Sequence, residues 1–178
     1  VRLFTAFHVP MEPLSNVLQE LGYLREVKTV NKDSLHVTII FIGEVEDGIV
    51  PMLKERLSSL HMKPVKLELN SVGAFPTQSN PRVIWVGLRG DINPLHQLRK
   101  EQEQILREMR IPFDSKPFSP HVTIGRVKER PSKGIPQFIE RYVETKFGEF
   151  IVQGFRLMKS TLTPQGPIYE TLLEVEAR

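Results

Sequence analysis

The tetrapeptide His-Val-Thr-Ile occurs twice in this chain, at 36–39 and again at 121–124, 85 residues apart. Each copy falls at the same place in one of two similar runs of predicted elements. Self-similarity of this kind means one supersecondary unit used twice, which restricts the chain to folds with two related halves.

The element orders support that reading. Residues 1–9 alternate with a period of two, with Val1, Leu3, Thr5, Phe7 and Val9 on one face and Phe4, Ala6 and His8 on the other. Leu14, Val17, Leu18, Leu21 and Leu24 follow at helical spacing. A strand is expected over 35–42, a helix marked by Ile49, Leu53, Leu57 and Leu60, and a further strand over 65–72. The order then recurs. A strand is expected over 82–88, then a helix opened by Asp91-Ile92-Asn93-Pro94 and carrying Leu95, Leu98, Ile105 and Met109. A strand over 121–127, a short helix with Ile135, Phe138, Ile139 and Tyr142, and strands near 149–157 and 169–175 complete the chain. The Gly73-Ala74-Phe75-Pro76 and Asn80-Pro81 clusters mark the expected seam. The expectation is one bilobal domain over residues 1–178, with lobes of roughly 1–75 and 76–178 and terminal strands able to cross between them.

At 178 residues the chain is long enough for one core of ordinary density, and its 40 % apolar and 25 % charged residues are those of a globular protein. No apolar run reaches the roughly 20 residues of a membrane span. The opening residues read as a strand rather than a secretory signal, so the expected location is cytoplasmic. Without cysteine there is no disulfide, thiolate metal site or cysteine nucleophile. The net charge of +3 is compatible with a polyanionic partner without demanding one.

Residues two apart on a strand share a face, so His36 lies with Thr38 and His121 with Thr123, each pair backed by apolar neighbours. Two imidazoles meeting across a cleft suit phosphodiester chemistry. One takes a proton from the attacking oxygen and the other gives one to the leaving oxygen, and an unperturbed histidine can hold either state near neutrality. The threonine hydroxyls can donate to the non-bridging phosphate oxygens. A single such histidine would be an ordinary core residue; the duplication is what argues for chemistry. Metal binding fits poorly, since Glu44 and Glu46 follow only the first copy and Glu129 alone follows the second. Arg126 faces away from His121 in an ideal strand and becomes either a solvated strand-end residue or, with a bulge at Gly125, an inward phosphate ligand. His8, His61 and His96 lack a duplicated context and read as surface or helix residues. Phe75, Phe118 and Tyr169 could stack on bases, with core packing the ordinary alternative.

The paired motif resembles the signature of the 2H phosphoesterases, and the chain is most similar among them to the RNA 2′,3′-cyclic phosphodiesterases, also called the 2′-5′ RNA ligase family. The opening Arg2-Leu3-Phe4-Thr5-Ala6-Phe7, the segment 81–88, Phe118-Ser119-Pro120-His121 with Arg126, and the tail 160–169 extend the resemblance over nearly the whole length. It implies an α+β bilobal fold, with two lobes of β-α-β-α-β type related by a pseudo-two-fold and antiparallel sheets flanking a central cleft. It implies hydrolysis of an RNA terminal 2′,3′-cyclic phosphate to a 2′-phosphate without metal or cofactor, and permits the reverse joining of a 5′-hydroxyl in a 2′-5′ linkage. His36 would then be the proton donor and His121 the base, with Thr38, Thr123 and Arg126 on the substrate. The implied partner is RNA with a cyclic-phosphate end, tRNA fragments among the candidates, with no membrane and a monomeric protein. The rival expectations are an enzyme of small cyclic or 2′-5′-linked nucleotides, and an RNA-end binding module without turnover.

Overall fold

The computed structural model describes residues 1–129 and 134–178. Two antiparallel sheets form the body. The first has the order β3-β1-β8-β9, from β1 (Arg2–His8), β3 (His36–Glu44), β8 (Gly154–Thr163) and β9 (Gly166–Glu176). The second has the order β2-β6-β5-β4-β7, from β2 (Val27–Thr29), β4 (Val65–Pro76), β5 (Pro81–Gly90), β6 (His121–Val127) and β7 (Lys146–Val152). Helices α2 (Val50–Ser58) and α3 (Asn93–Glu108) pack behind the first sheet. Helices α1 (Ser15–Leu21) and α4 (Gly134–Tyr142) pack behind the second.

Most apolar residues of each strand face these helices, which leaves the opposite sheet faces to histidine, threonine and arginine with a few aromatic side chains among them. Along α3, Leu95, Leu98, Ile105 and Leu106 are buried, each contributing about 1.5–3 kcal/mol of apolar transfer free energy. The same stripe carries two buried polar residues, Arg99 and Gln102, which reach Ile39 and Thr5 of the first sheet; Arg99 also bonds Glu103 on its own helix and the Asp114 and Lys116 carbonyls ahead of β6.

Two sequence expectations require correction. The stretch 73–81 is not a seam between lobes, because β4 and β5 pair along Leu67–Gly90 to Pro76–Pro81 as one hairpin of the second sheet. The first sheet instead joins N-terminal strands to C-terminal ones, β1 lying between β3 and β8. The single strand expected near 149–157 is two strands in different sheets. The chain passes between them at Gly154, whose φ of +147° and 2.1 Å separation between an ideal Cβ and Val175 O leave no room for a side chain. The short β2, which the hydrophobic pattern did not reveal, edges the second sheet against β6.

Candidate active site

His36 and His121 open β3 and β6, and both rings are anchored the same way. His36 Nδ1 lies 2.7 Å from the carbonyl oxygen of Ser34, and His121 Nδ1 lies 2.9 Å from that of Ser119. In each case the ring bonds the main chain two residues upstream. An Nδ1–H donating to a carbonyl leaves Nε2 bare when the ring is neutral and an N–H donor when it is charged. The signal was present in the sequence as a serine two positions before each histidine, but the contact is to the main chain, which any residue supplies.

Beyond each threonine comes a bulge. In the first sheet Ala6 faces Thr38 and Thr5 faces Ile40, so Ile39 is the extra residue. In the second, Trp85 faces Thr123 and Ile84 faces Gly125, so Ile124 is the extra one. A bulge changes the parity of everything after it. Arg126 therefore pairs with Val83, on the face shared by Trp85, Thr123 and His121, and the inward alternative applies. By the same shift Phe41 joins the face of His36 and Thr38, opposite Phe4, with the Arg2 guanidinium 4.9 Å from its ring centre.

Side chains behind the first bulge satisfy its backbone. The Ile40 N–H donates to Thr5 Oγ1 at 3.2 Å, and the Thr5 hydroxyl donates to Gln102 Oε1 at 2.6 Å. Arg99 donates to Ile39 O at 2.8 Å, to Asp114 O at 3.0 Å and to Lys116 O at 2.8 Å. The bulge carbonyl of Ile124 accepts from the Val30 N–H at 3.0 Å.

The two polar faces meet. Burial, first, lowers the His36 pKa from its ordinary 6.5; the carbonyl of Ser34 works against that, while Arg126, His121 and His8 lower it further by charge. β3 and β6, which carry the two histidines, touch each other, so the charges of Arg126 and His121 act on His36 from the second sheet. The β8–β9 hairpin closes one side, its Gln165 carbonyl accepting from Lys28 of β2. Each imidazole also has aromatic neighbours. His36 lies 5.4 Å from both Phe4 and Tyr169, and His121 lies 5.1 Å from Phe75 and 6.5 Å from Trp85. Of the aromatics considered for stacking, Phe75 is 41 % exposed beside His121, Tyr169 borders His36, and Phe118 instead covers Arg99 and His96.

The structure thus brings His36, Thr38, His121, Thr123 and Arg126 to one cleft. It adds His8, which pairs directly with His36 across β1 and β3. Sequence reading gave His8 no role because nothing repeats it. Among the described residues no group of three or more His, Asp or Glu side chains could hold a metal ion, and no helix is long and apolar enough to cross a membrane.

The sequence matches the LigT like Phosphoesterase family twice, over residues 9–85 and 86–169. It is 37 % identical over 175 residues to the RNA 2′,3′-cyclic phosphodiesterase of Archaeoglobus fulgidus, covering 97 % of this chain and 98 % of that one. The protein of the same description from Methanocaldococcus jannaschii is 37 % identical, covering 98 % and 99 %. Among solved structures, TT0787 of Thermus thermophilus superposes with a TM-score of 0.80 at 30 % identity, covering 100 % of this chain and 98 % of that one. Escherichia coli LigT complexed with 3′-AMP superposes at 0.79 and 23 % identity, covering 99 % and 97 %. A duplicated family match, two antiparallel sheets and full-length relatives agree, and the chain belongs to the LigT-like phosphoesterases.

Proposed function

We propose that this protein hydrolyses the 2′,3′-cyclic phosphate at an RNA end to a 2′-phosphate by acid–base catalysis between His36 and His121, without a metal ion. The observation that carries the reading is the matched anchoring of the two rings, each by Nδ1 to the carbonyl two residues upstream. With Nδ1 held in this way, Nε2 is the nitrogen of each ring left to exchange a proton.

A neutral His121 presents a lone pair at Nε2, which takes the proton of a water attacking phosphorus. The bond from phosphorus to O3′ breaks as protonated His36 gives its Nε2 proton to that oxygen, leaving a free 3′-hydroxyl and a 2′-phosphate. Burial makes His36 a stronger acid than free imidazole, and the anionic substrate beside it restores its proton. Thr38 and Thr123 donate to the non-bridging oxygens as charge accumulates there, and the Arg126 fork adds a delocalised positive charge. Microscopic reversibility lets a 5′-hydroxyl take the place of water, giving a 2′-5′ linkage.

The full-length relatives described as RNA 2′,3′-cyclic phosphodiesterases support the substrate class. The test is incubation of the protein, in chelator, with RNA ending in a 2′,3′-cyclic phosphate, followed by identification of the product end. Formation of a 2′-phosphate is expected, with His36→Ala and His121→Ala each lowering turnover by about a hundredfold or more. Full activity in either variant removes that residue from the mechanism; activity lost to chelator and restored by a divalent ion removes the metal-free chemistry.

A further inference from the structure

Beside His36 the first sheet holds a pocket of about 160 Å³ whose lining includes His8, Ser34, His36, Arg156, Tyr169 and Thr171. Of these residues the hydrolytic step uses His36 alone. We propose that this pocket binds the phosphate one nucleotide upstream of the cyclic end, through Arg156 and His8, and so selects RNA ends over mononucleotides. The inference rests on the proposed hydrolysis at His36 and His121.

The register places these groups together. His8 is paired with His36, and Arg156 with Ala6, so all three side chains rise from the same sheet face on neighbouring strands. Strands lie about 4.8 Å apart, so β3 and β8 on either side of β1 are about 10 Å apart at the backbone. Arg156 is tethered by Glu174, with Nε donating to Oε1 at 3.2 Å and Nη2 3.1 Å from the same oxygen. Both contacts fall on one carboxylate oxygen and leave the rest of the guanidinium fork available. Asp33, which also lines the pocket, is exposed. His8 is held below its ordinary pKa by burial first and by the Arg156 charge second, with the Glu12 and Glu174 carboxylates pulling the other way. An anion between the two would relieve that repulsion.

The chemistry of the substrate fixes the direction. On a ribose ring O2′ and O3′ lie between C1′, which bears the base, and C4′, which leads to the 5′ phosphate. With the cyclic phosphate between the histidines, the base on C1′ and the upstream chain on C4′ both project from the opposite face of the ribose, but from opposite edges of the ring, so they meet different parts of the site. The parts of the face around His36 differ in what they offer. Phe41, with Arg2 stacked on it, offers an aromatic surface further along β3, whereas His8, level with His36, and Arg156, level with Thr38 two strands away, offer donors and charge to the side of the catalytic histidine.

The experiment compares kcat/KM for a dinucleotide ending in a 2′,3′-cyclic phosphate with that for the same compound carrying a neutral methylphosphonate internal linkage. The parent protein is expected to favour the charged linkage by about tenfold or more, less so as salt rises. Arg156→Met and His8→Gln should each bring the ratio to within about twofold of one. Because the ratio is internal to each variant, a folding defect lowers both rates and leaves it unmoved. A parent ratio near one overturns the inference, as does a ratio that survives Arg156→Met. A change of rank among the four bases with the linkage ratio intact would make this a base pocket instead. A parent protein that cleaves neither compound overturns the hydrolytic reading itself.

Discussion

In the proposed mechanism His36 donates a proton from a place that disfavours it. Burial lowers its affinity, and the facing Arg126 and His121 add to the effect. In the free enzyme the reactive, protonated form is therefore scarce above the lowered pKa. A bound phosphate anion reverses the balance. The alkaline limb of the kcat/KM profile should accordingly lie below that of single-turnover rates at saturating substrate, since the first reports free enzyme and the second the complex. Coincident limbs would remove His36 as the acid. The same residue acts on stability. Its folded pKa is below the unfolded 6.5, so the folded state binds fewer protons than the unfolded chain as pH falls. The stability it supports is intact above about 6.5 and is lost as pH drops toward the folded value. Thermal midpoints at pH 7.5 and pH 5 should therefore fall further for the parent than for His36→Gln; an equal fall contradicts the assignment. The two histidines and two threonines were legible because a strand's period of two needs only the sequence. The anchors were not, because Ser34 and Ser119 contribute carbonyls, and His8 was not, because its relation to His36 exists only in the register of β1 on β3.

At the scale of the strand the bulge decides what the motif can contain. Without it Arg126 would point away from His121, and the sequence left both orientations open because alternation predicts ideal strands only. A bulge changes the count by one residue and costs nothing in hydrophobic pattern: Ile124 and Gly125 are both buried, as are Ile39 and Ile40. Gly125 is the tight point. A Cβ there would lie 2.8 Å from Val27 Cγ1 and 2.9 Å from Leu21 Cδ2, in the core where β2 and α1 meet. Gly125→Ala should therefore cost about 1–3 kcal/mol through overpacking and lower turnover by displacing the neighbouring Arg126. Gly48, with nothing within 4 Å of its ideal Cβ, is the control: Gly48→Ala should change stability by no more than about 0.5 kcal/mol. Denaturant midpoints of the two variants decide the matter, and equal small changes would mean that β2 yields easily.

Across the whole molecule, the repeat anticipated the pair of sheets but not the chain path. Two matched motifs implied two sheets facing a cleft, and two sheets face one. The sheets do not divide the chain at 75/76: β4, although it ends the first sequence unit, hydrogen-bonds along its length to β5 and β7, while the terminal strands β8 and β9 cross back to β1. No local pattern encodes which edge a strand joins. What ties the two arms together is Arg99, placed by α3 at a core-facing helical position where a charge is out of keeping with Leu95, Leu98 and Leu106; that mismatch was visible in the sequence and passed unused. Its guanidinium bonds the Ile39 carbonyl in the first motif's bulge and the Asp114 and Lys116 carbonyls in the segment that leads to the second motif. Phe118 lies 5.7 Å from the guanidinium carbon. Arg99→Met keeps much of the apolar stem and removes every donor, leaving three carbonyls without this partner. Each orphaned group costs about 1–3 kcal/mol and the terms are not additive, so a loss of about 3 kcal/mol is expected from denaturant unfolding. Turnover should fall at temperatures where the variant is still folded, because both histidine-bearing strands lose a shared brace. Arg99→Lys, with one ammonium in place of the fork, should recover part of the stability and less of the turnover. Unchanged midpoint and unchanged rate in Arg99→Met would mean that the sheets hold their spacing without it.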